Sequence, residues 1–370
     1  MAVDRRTSIQ RLRVLLLIPH LGGGGAERVI ALLARGLSPE KYDLHLAVVT
    51  QPEAVGASLP PWVTVHALGA RRVRGSALGL LRLVRRVKPG VIVSGIAHLN
   101  FLVLLLRPFF PEGTAVLVRQ NATVSSALAF GGLPGYTRLL YRLLYRRADR
   151  VICQSRSMAV DLTRELDLTE ELVAVLPNPL DLDGIRAGSA NPVKWPGAGP
   201  HLLAIGRLSP EKGFDLLLRA FAVVRASFPA ATLTILGVGS EEFALRVLCL
   251  ELGLERAVSF PGYSDRPSAY FPGATLFVHS SRHEGMPNAV IEAAAAGLPV
   301  VALPSSGGVV DFLGPQPGTW VGDRISSECL AECLLEALVA LVPGERFAWA
   351  FSPLAVANGP TSTALCSSNR

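Results

Sequence analysis

Two glutamates eight positions apart, Glu284 and Glu292, and two cations on one short loop, Arg207 and Lys212, are the residues of this 370-residue chain best suited to chemistry. The glutamates lie in HSSRHEGMPNAVIEAAAAGLPVVAL, residues 279–303. A β-like run over 275–279 ends in a polar turn carrying Glu284, Pro287 opens a helix that runs to Ala296, Gly297 stops it, and 298–303 reads as the next strand. The amides of Met286, Asn288 and Ala289, with Gly285 just before them, fall at the helix start, where unpaired N–H groups and the positive dipole end favour a phosphate or diphosphate. Two carboxylates would repel a bare diphosphate. Their task is then to accept hydrogen bonds from neutral hydroxyls on either side of it, unless Glu292 is only a helix-face carboxylate and Glu284 only a loop one.

The cations belong to GRLSPEKGF, residues 206–214, between a strand and a helix. There they can clamp a diphosphate whose charge grows as a bond to it breaks, Arg207 as a planar fork and Lys212 as a point charge. The run Gly22, Gly23, Gly24, Gly25 sits between the first strand and the first helix and lets backbone approach a ligand closely. It does not complete a dinucleotide fingerprint: Glu27 stands at the third glycine position, and Thr50 and Gln51 stand where an acidic residue would close the second strand.

These loops need a scaffold, and the apolar patterning supplies one. Strands at 13–19, 43–50, 62–68, 91–94, 115–118, 151–153 and 173–176 alternate with helices at 26–36, 76–87, 100–109, 136–147 and 157–166. The pattern implies a parallel sheet covered on both faces. It breaks at 177–200, which holds five prolines, and resumes with strands at 201–205, 232–236 and 258–260 and helices at 214–227 and 241–252. The expected organisation is an N-terminal Rossmann-like domain (1–180), a Pro-rich linker (181–200), a C-terminal Rossmann-like domain (201–343) and a divergent, partly disordered tail (344–370). The cleft lies between the domains, facing the strand ends. Phe347, Trp349 and Phe351 are expected to pack on the core.

Composition narrows the partners. The formal charge is +7, and lysine occurs only at Lys41, Lys88, Lys194 and Lys212. A basic protein suits anionic partners, but no zinc-finger spacing or RNA-binding aromatic signature points to nucleic acid. Five scattered cysteines make no disulfide framework. No apolar run approaches the ~18 residues of a spanning helix, so a cytoplasmic protein is expected. The arginines at 71, 72, 74, 82, 85 and 86, and at 138, 142, 146, 147 and 150, mix with apolar residues at helical spacing. They suit either an anionic membrane surface or solvent. No P-loop, nucleophile elbow or H-E-x-x-H is present, and Asp181-Leu182-Asp183 falls in the linker.

The Glu284-x7-Glu292 stretch, preceded by Gly206-Arg207 and Lys212-Gly213, resembles the retaining GT-B glycosyltransferases of the family 4 type. The resemblance implies two Rossmann-like domains, the first acceptor-binding and the second nucleotide-sugar-binding, and transfer of a sugar from a UDP- or GDP-linked nucleotide-sugar to an acceptor hydroxyl of a glycan or lipid-linked glycan. No Asp-x-Asp motif stands at a strand end near the donor loop, so metal-independent transfer with no required cofactor is expected. Arg207 and Lys212 would hold the diphosphate, Glu292 the ribose and Glu284 the sugar. Gly237, Gly262 and Tyr263 would surround the base, and Gly23 and Gly24 would form the first-domain wall. His98, after the strand 91–94, is either structural or similar to a family histidine that contacts sugar or acceptor. Asn100 and Arg119 to Asn121 would line the acceptor pocket, and Asp311 stands where the family places a glutamate. The rival readings are a nucleotide-sugar epimerase of the same fold and a catalytically weak glycan-binding or membrane scaffold.

Overall fold

The computed structural model describes residues 11–20, 24–50, 59–130, 136–305, 308–314, 316–348 and 354–355. The first domain runs β1 (Leu12–Ile18), α1 (Gly25–Gly36), β2 (Tyr42–Val48), β3 (Thr64–Ala67), α2 (Ala77–Val87), β4 (Val91–Ser94), α3 (Ala97–Leu106), β5 (Ala115–Arg119), α4 (Val124–Phe130), α5 (Thr137–Tyr145), β6 (Arg150–Cys153), α6 (Arg156–Leu166) and β7 (Val173–Val175). A crossing segment holds β8 (Pro179–Leu180) and α7 (Leu182–Ser189). The second domain runs β9 (His201–Ile205), α8 (Phe214–Ser227), β10 (Thr232–Leu236), α9 (Glu242–Glu251), β11 (Val258–Gly262), β12 (Leu276–His279), α10 (Asn288–Ala295), β13 (Val300–Ala302), α11 (Gly308–Leu313), β14 (Thr319–Val321) and α12 (Ser327–Ala340), with a short β15 (Leu354–Ala355) after it.

Both sheets are parallel and doubly wound. Their orders are β3-β2-β1-β4-β5-β6-β7 and β11-β10-β9-β12-β13-β14. Continuous apolar runs such as VLLLI of β1 and LFV of β12 are buried because helices cover both faces. In each sheet the order reverses at one point, between β1 and β4 and between β9 and β12. That reversal opens a crevice beyond the strand ends, where ligands of such folds bind.

Six elements depart from the sequence reading. The Pro-rich 181–200 segment carries α7, started by the Asp181 carboxylate accepting from the Gly184 amide at 2.8 Å. Helix α4, helix α11 and the three-residue β14 were not expected. In the tail, β15 pairs with β8 beside the crossing segment, and Phe347 packs on Gly318 with its amide donating to the Gly297 carbonyl at 2.9 Å. Trp349, Phe351 and the tail's expected disorder lie outside the described residues.

Candidate active site

The cationic loop and the first glutamate grow from adjacent strands at the second crevice. After β9 the Gly206 amide donates to the Leu236 carbonyl at 2.9 Å, Arg207 stands exposed, and a single 3-10 turn, Pro210–Lys212, leads into α8. Gly213 joins them with φ +62°, and a Cβ there would lie 2.2 Å from the Ser280 carbonyl oxygen. Glycine is thus required both by the left-handed backbone and by the close approach of the next loop. That next loop is stapled on: the Arg282 amide donates to the Glu211 carbonyl, and the Arg282 guanidinium grips the Asp215 carboxylate with two bonds of 2.8 and 2.7 Å.

Between these loops the Lys212 ammonium donates to the Glu284 carboxylate, which also accepts from the Ser281 hydroxyl at 3.4 Å. Burial pushes the Glu284 carboxyl upward, but Lys212 and then His279 outweigh it and leave it below the usual range. His279 ends β12 behind the pair. Burial drives it down to about 4, against the opposing pull of Glu284, so its ring is neutral at neutral pH.

Glu292, one helix turn further in, has a partner from the other domain. The Arg28 guanidinium of α1 lies 3.1 Å from its carboxylate. Here burial dominates over Arg28, and the Glu292 carboxyl sits above its usual range. The expected donor carboxylate is therefore paired, with a residue that the sequence reading passed over. Arg28's place in the first turn after the glycine run is the signal that could have found it.

The first crevice is softer. Gly24 precedes α1 with extended backbone, and Glu27 folds back over it, 3.4 Å from His20 Nδ1. Gly23 lies outside the described residues. His98 stands exposed in the first turn of α3, pushed down by burial and then by His20. Asn100, Arg119 and Gln120 do not line an open pocket, contrary to expectation. They are buried, with Asn100 donating to the Arg119 carbonyl and the Tyr145 hydroxyl, which in turn donates to Gln120. These polar groups pack inward because they find hydrogen-bond partners within the first domain and at Asn178 of the segment that leaves it.

The two crevices meet. The Asn288 side chain donates to the Gly25 carbonyl at 3.3 Å, and a Cβ on Gly285 would lie 2.2 Å from the Asn121 carbonyl oxygen. Asp311 accepts from the Ser157 amide in the first turn of α6 at 2.7 Å, so it holds the other domain. Met286 and Pro287 lead into α10, with Pro287 at its N-cap rather than inside it. Gly237 takes φ +143° beside the Gly206 carbonyl and donates to the Gly262 carbonyl, at which β11 ends, and Tyr263 beyond it is 65% exposed. Among the described residues no three His, Cys, Asp or Glu side chains converge as metal ligands do.

With this geometry in place, the family models divide the chain as the sheets do. Residues 23–183 match glycosyltransferase family 4, and residues 189–339 match glycosyl transferases group 1. The chain is a GT-B glycosyltransferase. A Campylobacter jejuni N-acetylgalactosaminyltransferase, named for a diphospho-undecaprenol-linked acceptor, is 26% identical over 311 residues, 81% of this chain and 82% of its own. The amylovoran biosynthesis glycosyltransferase AmsD of Erwinia amylovora is 23% identical over 352 residues, 91% of this chain and 93% of its own. The fold matches Anabaena HepE, solved with UDP and glucose, at a TM-score of 0.72 over 89% of this chain and 90% of that one, with 18% identity. Relatives of this glycosyltransferase thus serve polysaccharide and lipid-linked glycan synthesis.

Proposed function

We propose that this glycosyltransferase takes its sugar from a UDP- or GDP-linked nucleotide-sugar and passes it, with retention, to a hydroxyl of a lipid-linked or cell-envelope glycan. No metal or other cofactor is required. The observation that carries the reading is the Lys212–Glu284 pair beside exposed Arg207, at the crevice beyond β9 and β12, where Asn288 of the same stretch meets Gly25 of the other domain.

In the step, the bond from the sugar's anomeric carbon to the diphosphate oxygen breaks, and its electron pair leaves with the nucleoside diphosphate. Arg207 and Lys212 stabilise that growing charge, as preorganised cations do best where water is excluded. Glu284 accepts from sugar hydroxyls and Glu292 from the ribose. The acceptor oxygen attacks from the face the diphosphate leaves, which preserves the configuration, and its proton passes to the departing diphosphate. His98, exposed in the first turn of α3, contacts the sugar or the acceptor in this reading.

The test is a panel of nucleotide-sugars followed by product analysis. Released nucleotide and a product with the donor's anomeric configuration are expected. No turnover of any donor would sink the reading, and a new sugar isomer would favour an epimerase.

The acceptor side favours an anionic membrane surface. Between Pro61 and Ala148 the only acidic residue is Glu112, against twelve arginines and one lysine. Exposed Leu78, Tyr136, Leu139 and Leu143 stand on α2 and at α5 among these cations. Among the described residues no helix is long and apolar enough to cross a membrane. Sedimentation with anionic vesicles is expected, falling when Arg82, Arg85 and Arg86 become alanine.

A further inference from the structure

We propose that Arg119, Asn178 and Asn288 are positioning residues: a directed chain of side-chain hydrogen bonds that sets the first turn of α10 against the first domain for transfer. The inference rests on the donor reading above, because it assigns a purpose to that helix start. Of the residues expected at the diphosphate it includes Asn288 alone, through its side chain, whereas the group expected to meet the anion is its backbone amide.

The direction of the chain follows from one donor-only group. Arg119 ends β5, is 2% exposed, and its Nη2 donates to Asn178 Oδ1 at 2.7 Å. A guanidinium has no acceptor, so Asn178 must present its carbonyl oxygen to it and turn its NH2 away. That NH2 donates to Asn288 Oδ1 at 2.7 Å and reaches the Met286 carbonyl at 3.5 Å. Asn288 is then oriented in turn, its oxygen occupied and its NH2 aimed at the Gly25 carbonyl, 3.3 Å away. Reversing any one amide would set two acceptors or two donors face to face.

Its placement makes the chain a positioning device. Asn178 lies between β7 and β8, where the polypeptide leaves the first sheet for the second, and is 7% exposed. Asn288 is the first residue of α10 and Gly25 the first of α1. Three segments, the crossing strand, the donor helix and the glycine loop, are thus locked in register from one buried arginine. Asn178 serves Arg119 with a neutral amide, though a carboxylate would be the stronger partner for a buried cation. What an aspartate could not supply is the hydrogen that Asn288 receives.

The N178D variant therefore separates the roles. It keeps the acceptor for Arg119 and removes the donor to Asn288. As a positioning residue Asn178 predicts a melting temperature equal to or above wild type and a nucleoside diphosphate Kd within about 3-fold. It also predicts a kcat lower by roughly 10- to 100-fold, because small misplacements across a reacting pair are that costly. Asn288→Ala is expected to act likewise, and the double variant to be no slower than the slower single, since both cut one chain. Turnover is followed as nucleotide release from the UDP- or GDP-linked sugar that wild type uses. An N178D variant with wild-type kcat, or two effects that multiply in the double variant, would overturn the proposal and leave the donor reading intact. A wild type that turns over no donor would remove the donor reading and this proposal with it.

Discussion

Glu284 and Glu292 share one loop-and-helix stretch and are both largely shielded, with side chains 21% and 9% exposed, yet their carboxyls move in opposite directions. Glu284 meets a lysine of its own domain, 72 residues away, on a loop bonded to its own. Lys212 therefore outweighs burial. Glu292 meets Arg28 across the domain boundary, 264 residues away, and Arg28 is 43% exposed. A cation so open to water is screened, and burial wins. One glutamate's charge is built into its domain, whereas the other's depends on how closely the two domains approach.

Removing the cations should break this comparison most sharply. Lys212→Ala is expected to lower kcat/KM by roughly 100- to 1000-fold, the scale for losing a preorganised charge at a leaving group. Arg28→Ala should cost less than about 10-fold in the same assay, the scale of an exposed ion pair. Equal losses would put both cations in the clamp.

The carboxylates come next. Glu284→Ala should slow transfer by about 100-fold while leaving nucleoside diphosphate affinity within about 3-fold. Glu292→Ala should weaken that affinity by about 10-fold, near the worth of a hydrogen bond to a charged group. Isothermal titration with UDP and GDP reads the second, and unchanged affinity would remove Glu292 from the ribose.

A smaller effect appears in stability against pH. With a lowered carboxyl, Glu284 contributes stability above its ordinary value of 4.5 that is lost as pH falls through the folded value. Glu292, with a raised carboxyl, contributes stability that is complete below 4.5 and lost as pH rises through the folded value. The melting-temperature gap between wild type and Glu284→Gln should therefore close toward acid, and that for Glu292→Gln toward neutral pH. Parallel curves would contradict the opposite shifts. Smallest of all, Arg28→Ala should change stability by about 1 kcal/mol or less, as expected of a partly exposed pair.

Much of this site could be read along the chain. Each motif occupies a turn between a strand and a helix, and both elements announce themselves within a dozen residues through apolar periodicity. Gly206 to Lys212 and Glu284 to Asn288 stood out for that reason. Less was legible where the signal is short or masked by composition. Helix α7 hides among prolines although Asp181 caps it, and β14 is only three residues long. Asn100 and Arg119 look like cleft residues in sequence, and only packing turns them inward.

Local periodicity and residue chemistry by themselves determined two alternating domains and a stock of cations and carboxylates at strand ends, because those features depend on neighbours a few positions apart. Tertiary structure decided which charge meets which. The sheet order sets β1 beside β4 and β9 beside β12, and the packed domains bring Arg28 to Glu292, Ser157 to Asp311, and Arg119 through Asn178 to Asn288. Such pairings follow from the sum of many weak contacts over the whole fold, and no short stretch of sequence contains that sum.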